Sequence, residues 1–270
     1  MMTVPLATLL FLAGCRAPLP PVAVDVSKTT PAVDYSRLDT ILHQAVDFDR
    51  DVLPEPLKKN RDTLDAQLRL LAVTGPTATP ALLPAPADRQ AYWLNAHAAW
   101  SLKLFLEQDT PKQLDLNALH HRPFTLDGRM MTLQAVEQEL ADLGDFRLAI
   151  LAPCVCLSHG EMLEHAVQPD QVKAFLDEGF NRYVIDNRRF TVDIDLQQIG
   201  VAPALWAARP MLIRNHERKY GLRDVTFQTT LLPYTTGRAQ RRLQDAIGYK
   251  IAMSQPSAIS ALVDELKKLR

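Results

Sequence analysis

A chain of 270 residues with 47% apolar content is long enough to bury one large core or two small ones. Its 30 Lys and Arg against 31 Asp and Glu leave a net charge of −1, without the basic field that steers proteins to nucleic acid or anionic membrane. A nucleic-acid partner is therefore not expected.

Residues 1–15 are almost wholly apolar or small and end in Leu12-Ala13-Gly14-Cys15. The run is too short to span a bilayer and suits the core of a signal peptide. Its ending is similar to a bacterial lipobox, so Cys15 is the expected lipidation site and first residue of the mature chain. No Lys or Arg precedes the run, a departure from that pattern. Several acyl chains, at roughly 0.8 kcal/mol per buried CH₂, would anchor the protein to a membrane of the cell envelope. Arg16 in place of Asp would permit outer-membrane delivery. Residues 16–32, proline-rich and poor in charge, read as a flexible tether. Residues 33–270 are expected to form one globular domain.

Apolar residues recur at helical spacing from Val33, at Leu38, Ile41, Leu42 and Ala45. A second helix is expected after Pro56, carrying Leu57, Leu64, Leu68, Leu71 and Val73 and ending at Gly75-Pro76. Asp88 is the expected cap of a long helix, ADRQAYWLNAHAAWSLKLFLEQ, apolar on nearly every face. That makes it the central buried helix, with Trp93, Leu94, Leu102 and Leu104 inside. Asn95 and His97 interrupt it, either as satisfied core groups or as a pair facing a site. His120 and His121 read as exposed loop residues. Asp127-Gly128 between apolar runs predicts a hairpin, and Leu133–Leu143 a helix. Further on, the spacing predicts a helix over Asp170–Ile185, a strand over Arg189–Ile194 and a helix over Ala204–Tyr220 that Pro210 kinks or divides. A β-rich run spans Thr226–Leu232. A basic helix spans Gly237–Ile247, with Arg238, Arg241 and Arg242 as a solvated face, and an amphipathic helix covers Ala258–Leu269. The expected class is α+β: a helix-rich single domain with a small sheet, a long buried central helix and a strand-to-helix cysteine turn.

Chemistry concentrates in Arg147–Glu161, RLAILAPCVCLSHGE. Leu148–Ala152 reads as a buried strand. It leads past Pro153 to Cys154, Cys156, Ser158, His159 and Glu161, with Ser158 and Glu161 spaced as the capping box of a following helix. With Cys15 lipidated, Cys154 and Cys156 remain in an oxidising compartment, and a disulfide between them is sterically conceivable. Three chemistries fit these residues. Cys154 or Cys156 could be a thiol nucleophile with His159 or His97 as base, its pKa lowered by a helix start. Cys154, Cys156 and His159 could hold zinc or copper, with His165, His120 and His121 as spare ligands. The cysteines could also be inert core fillers. No G-x-S-x-G elbow surrounds Ser158.

Several stretches together resemble the domain-of-unknown-function 547 family of bacterial secreted and plant proteins. AYWLNAHAAWSLKLFLE resembles its aromatic-Trp-aliphatic-Asn helix. FTLDGRMMTLQAVEQEL resembles its next segment, with an aliphatic-Glu pair at Val136-Glu137. GDFRLAILAPCVCLSHGE resembles its strand and cysteine turn, and the likeness covers about residues 33–221. The departures fall at the reactive positions. His159 stands where the family carries a second cysteine, Gly160 where it carries proline, Ala149 where its strand carries histidine, and Ala98 where its helix carries asparagine. If that cysteine and histidine act as a papain-like pair in the family, this chain has lost both. The resemblance thus implies a lipid-anchored envelope protein with a degenerate site. Non-catalytic binding of an envelope protein or small ligand comes first, and a cysteine-dependent hydrolase or transferase second. A metal-binding module is third; no cofactor is otherwise expected.

Overall fold

The computed structural model describes residues 33–109, 114–156 and 158–253. Cys15, the signal segment, the tether and the helix expected over Ala258–Leu269 lie outside the described residues. Helix α1 (Ser36–Ala45) buries its apolar stripe of Leu38, Ile41, Leu42 and Ala45. The single helix expected after Pro56 is two, α2 (Pro54–Lys59) and α3 (Arg61–Val73). Asn60 makes the break: its side-chain amide donates to the Pro56 carbonyl and to Gln44 Oε1 at 3.0 and 2.9 Å. A polar side chain that binds nearby backbone competes with helical continuation.

Helix α4 (Pro86–Glu107) is the centre of the fold and is buried on every face from Ala91 to Leu106. Pro86 occupies the first turn, where a missing N–H costs nothing. Asp88 caps from inside the helix, accepting from the Ala85 N–H at 2.8 Å. Trp93, Leu94, Leu102 and Leu104 are no more than 2% exposed. Around α4 pack α2, α3, α5 (Leu116–His121), α6 (Leu133–Asp142) and α8 (Val172–Ile185). Between α5 and α6 lies the expected hairpin, β1 (Phe124–Leu126) with β2 (Arg129–Met131), in the register Phe124↔Met131. Asp127 and Gly128 both have positive φ, as a tight two-residue hairpin turn requires.

The run expected as a strand before the cysteines is instead a short helix, α7 (Phe146–Ile150). Asp145 caps it by accepting from the Arg147 N–H at 3.0 Å, after Gly144 turns the chain at φ +86°. A five-residue apolar run suits a buried helical turn as well as a strand, and the cap decides between them. A second correction concerns Thr226–Leu232. Thr226 caps helix α10 (Phe227–Leu231), accepting from the Thr229 N–H.

The strand expected over Arg189–Ile194 forms, but it belongs to a three-stranded sheet whose other two strands were not expected. β3 (Phe190–Asp193) pairs antiparallel with β4 (Gln198–Val201), which pairs parallel with β5 (Lys250–Met253). Between β4 and β5 come α9 (Pro203–Tyr220), α10 and α11 (Gly237–Asp245). Helix α9 runs through Pro210 without dividing. On α11, Arg238 and Arg241 are exposed, whereas Arg242 donates to the Val192 carbonyl at 2.9 Å. The molecule is an α+β, helix-rich single domain with two small sheets. No helix among the described residues is long and apolar enough to cross a membrane.

Candidate functional site

Pro153 ends the turn that follows α7, and the chain loops out through the cysteines and back. Residues Pro153 and Gly160 form a parallel bridge, closed by Gly160 N–H to Ala152 O at 3.2 Å and Cys154 N–H to Gly160 O at 3.4 Å. The return depends on Gly160, because a Cβ there would sit 2.4 Å from the Leu151 carbonyl oxygen. Helix α4 grips the loop twice. His97 Nδ1 donates to Pro153 O, and Ser101 Oγ accepts from the Val155 N–H, both at 2.9 Å. From the other side, Tyr183 on α8 donates its hydroxyl to Ser158 O at 3.0 Å, and Arg189 Nε donates to His159 O at 2.8 Å.

Glu137 on α6 is the hub. Its Oε1 lies 2.9 Å from His120 Nδ1 and 3.3 Å from His97 Nε2, and its Oε2 lies 3.5 Å from His159 Nε2. Burial pushes this carboxyl up, but the three rings outweigh it and hold the group well below the usual carboxylate range. Burial pushes His159 down, towards the neutral ring, and outweighs the opposing pull of Glu137. An ionised carboxylate only accepts, so the protons sit on His120 Nδ1 and His159 Nε2. The remaining nitrogens, His120 Nε2 and His159 Nδ1, both face Cys156 Sγ, at 3.9 and 3.7 Å.

Cys154 and Cys156 are joined as a disulfide, and each is 3% exposed. The Cys156 N–H points back at Cys154 Sγ at 3.1 Å. One ligand atom from each of His120, Cys154, Cys156 and His159 lies within 4.8 Å of the others. In a tetrahedral zinc site, bonds of about 2.0–2.1 Å to nitrogen and about 2.3 Å to sulfur put neighbouring N and S ligands about 3.6 Å apart. The two nitrogen-to-sulfur distances at Cys156 are close to that edge. The two sulfurs become metal ligands only as thiolates, so the disulfide must first be reduced.

The sequence candidates divide here. Cys154, Cys156, His159 and His97 converge, but Asn95 does not. Its amide clamps Val167 instead, donating to its carbonyl at 2.8 Å and accepting from its N–H at 2.9 Å. No helix starts at Ser158, and Glu161 binds guanidinium groups rather than a helix end, with Arg182 and Arg188 each at 3.5 Å. His121 is exposed as expected, but His120 is not a free loop residue: it lies in the last turn of α5, its ring turned toward Glu137. The signal was its position four residues after Leu116 and one after the buried Leu119, on the apolar side of the helix. Glu137 went unread as a site residue. It lies four after Leu133 and three before Leu140, so it interrupts the buried stripe of α6 with a charge.

Among known proteins, the chain matches no family model, no curated protein and no solved structure.

Proposed function

We propose that this chain is a metal-binding protein of the cell envelope, holding one soft or borderline cation such as zinc or copper(I) between His120, Cys154, Cys156 and His159. One observation carries the reading: a single partly buried carboxylate lies against the far nitrogens of two histidines, so that both near nitrogens face the same cysteine sulfur. Carboxylate–histidine–metal arrangements use this device to fix the tautomer and aim the ligand. Histidine and thiolate donors suit zinc and copper over magnesium or calcium. The geometry thus favours the third sequence reading and gives the leading one, non-catalytic binding, a small ligand.

A thiol hydrolase fits less well. Its nucleophile would be a buried sulfur already bonded to its neighbour, and burial raises a free thiol's pKa. Membership in the 547 family, proposed on the motifs quoted above, explains the rebuilding: His159 replaces a family cysteine and supplies a ligand nitrogen. Lipidation at Cys15 and residence in the bacterial envelope complete the proposal, with acyl chains as the membrane contact.

The test is a zinc titration of the full chain after reduction, against a chromophoric chelator. One ion per chain is expected, with affinity lowered at least about tenfold in His120→Ala and in His159→Ala. A reduced, folded chain that takes up no zinc or copper(I) would remove metal binding from consideration. Acyl labelling in a bacterial host, lost in Cys15→Ser, tests the anchor separately.

A further inference from the structure

We infer that the disulfide and the metal compete for the same two sulfur atoms, so that a dithiol reductant loads the centre and oxidation empties it. The inference rests on the metal reading and adds its regulation. Two of the four candidate donors are bonded to each other, while His120, His159 and Glu137 already stand in place around them. A disulfide sulfur is no anion and offers a metal little. The oxidised centre therefore keeps the two imidazole nitrogens and loses both anionic sulfur donors.

The two cysteines, though each is only 3% exposed, border a cleft. The cleft, of about 310 Å³, has Val52, Phe105, Met162 and Arg189 among its other walls. A small dithiol entering it attacks one sulfur of the Cys154–Cys156 bond as a thiolate. That bond breaks, a mixed disulfide forms, and the other cysteine leaves as a thiolate. The reductant's second thiolate then displaces the first cysteine, and the reductant departs as its own disulfide, having supplied both electrons. A divalent cation binding the two protein thiols releases two protons. Linkage makes the effect reciprocal: whatever reduction adds to metal affinity, metal adds to the stability of the dithiol. Each tenfold excess of free metal over its dissociation constant should move the dithiol–disulfide midpoint toward the dithiol by about 30 mV.

The experiment uses the full chain and zinc ion. Zinc affinity is measured for the reduced and the oxidised protein. The dithiol fraction in a glutathione buffer is then followed by thiol labelling and mass as free zinc is raised under a chelator. The expected results are an affinity at least about a hundredfold higher in the reduced protein, and a dithiol fraction that grows with zinc. The double variant Cys154→Ser/Cys156→Ser, which cannot form the bond, should bind the little zinc it retains equally well with or without oxidant. Equal affinity in the two redox states overturns the competition and removes both sulfurs from the donor set, leaving only metal binding by the remaining groups. A dithiol fraction indifferent to zinc, in protein that binds zinc, does the same. Absence of both zinc and copper(I) binding in the reduced, folded chain overturns both.

Discussion

Two carboxylates lie beside helix α4, Asp127 buried and Glu137 partly so, and their partners set them apart. Asp127, at the hairpin turn, accepts from the backbone N–H groups of Thr77 and Ala78 at 2.9 and 2.7 Å. Its carboxylate fills the space where Gly75 would carry a Cβ. Glu137 instead accepts from imidazole rings, and two of those rings have a second nitrogen facing sulfur. Backbone partners have nothing further to offer, so Asp127 ends its network and fixes a loop. Histidine partners pass the interaction on, so Glu137 organises groups that still have chemistry available. Two acids on neighbouring elements thus have opposite roles, and it is their partners that separate them.

The comparison can be broken by substitution. The largest effect is expected for Trp93→Ala, which empties the core beside the Asp127 turn, where Arg129 approaches the ring at 6.0 Å. A loss of about 3–5 kcal/mol is expected in denaturant unfolding. Unchanged zinc affinity in the folded fraction would show that this half of the core is independent of the cysteine turn. Asp127→Ala should cost roughly 1.5–3 kcal/mol, the range for hydrogen bonds to a charged acceptor. It too should leave zinc binding alone; a large drop in affinity would mean that Asp127 belongs to the site after all.

Gly160→Ala should cost about 1–3 kcal/mol, as overpacking against fixed atoms does. Because it distorts the cysteine loop itself, it should weaken metal binding as well, and a stable variant with wild-type affinity would show that the loop can be rebuilt. Glu137→Gln is the sharpest contrast with Asp127. Loss of an outer partner of metal-ligating histidines typically costs 10–100-fold in affinity, and the calorimetric zinc titration should fall in that range. Wild-type affinity in this variant would make Glu137 a structural acid like Asp127.

The smallest effect concerns a third acid, Asp186, beneath the turn. Burial pushes it up, but Arg189 and Arg188 outweigh that and hold it below the usual range. Arg189 also binds the His159 carbonyl, while Glu161 and Tyr183 are the other titratable groups around it. A carboxyl depressed in the folded state binds fewer protons there than in the unfolded chain. Its contribution is complete above the unfolded value of about 3.9 and is lost as pH falls below it. Unfolding measured from pH 6 to pH 3 should therefore show a decline that flattens in Asp186→Asn. An identical decline in the variant would assign the acid sensitivity to other groups.

Local pattern carried a large part of this fold. The apolar completeness of α4, the stripe of α1 and the Asp127-Gly128 turn are each written in a few neighbouring residues, because side-chain period and turn chemistry are local properties. The concentration of chemistry at Cys154, Cys156 and His159 was legible for the same reason. Other features were settled by contacts between distant segments. Leu148–Ile150, which Asp145 caps locally, lies in a helix that packs against α6, α8 and α9. Asn95 holds Val167, 72 residues away, rather than facing the cysteines. His120 enters the site because α5 packs on α6, which sets its ring against Glu137. A histidine's role depends on what its two nitrogens meet, and those partners lie 17 and 36 residues along the chain at Glu137 and Cys156. Sequence supplied the donors, but only packing could choose which of them share a centre, since ligation is a matter of distance in space and the pattern records distance along the chain.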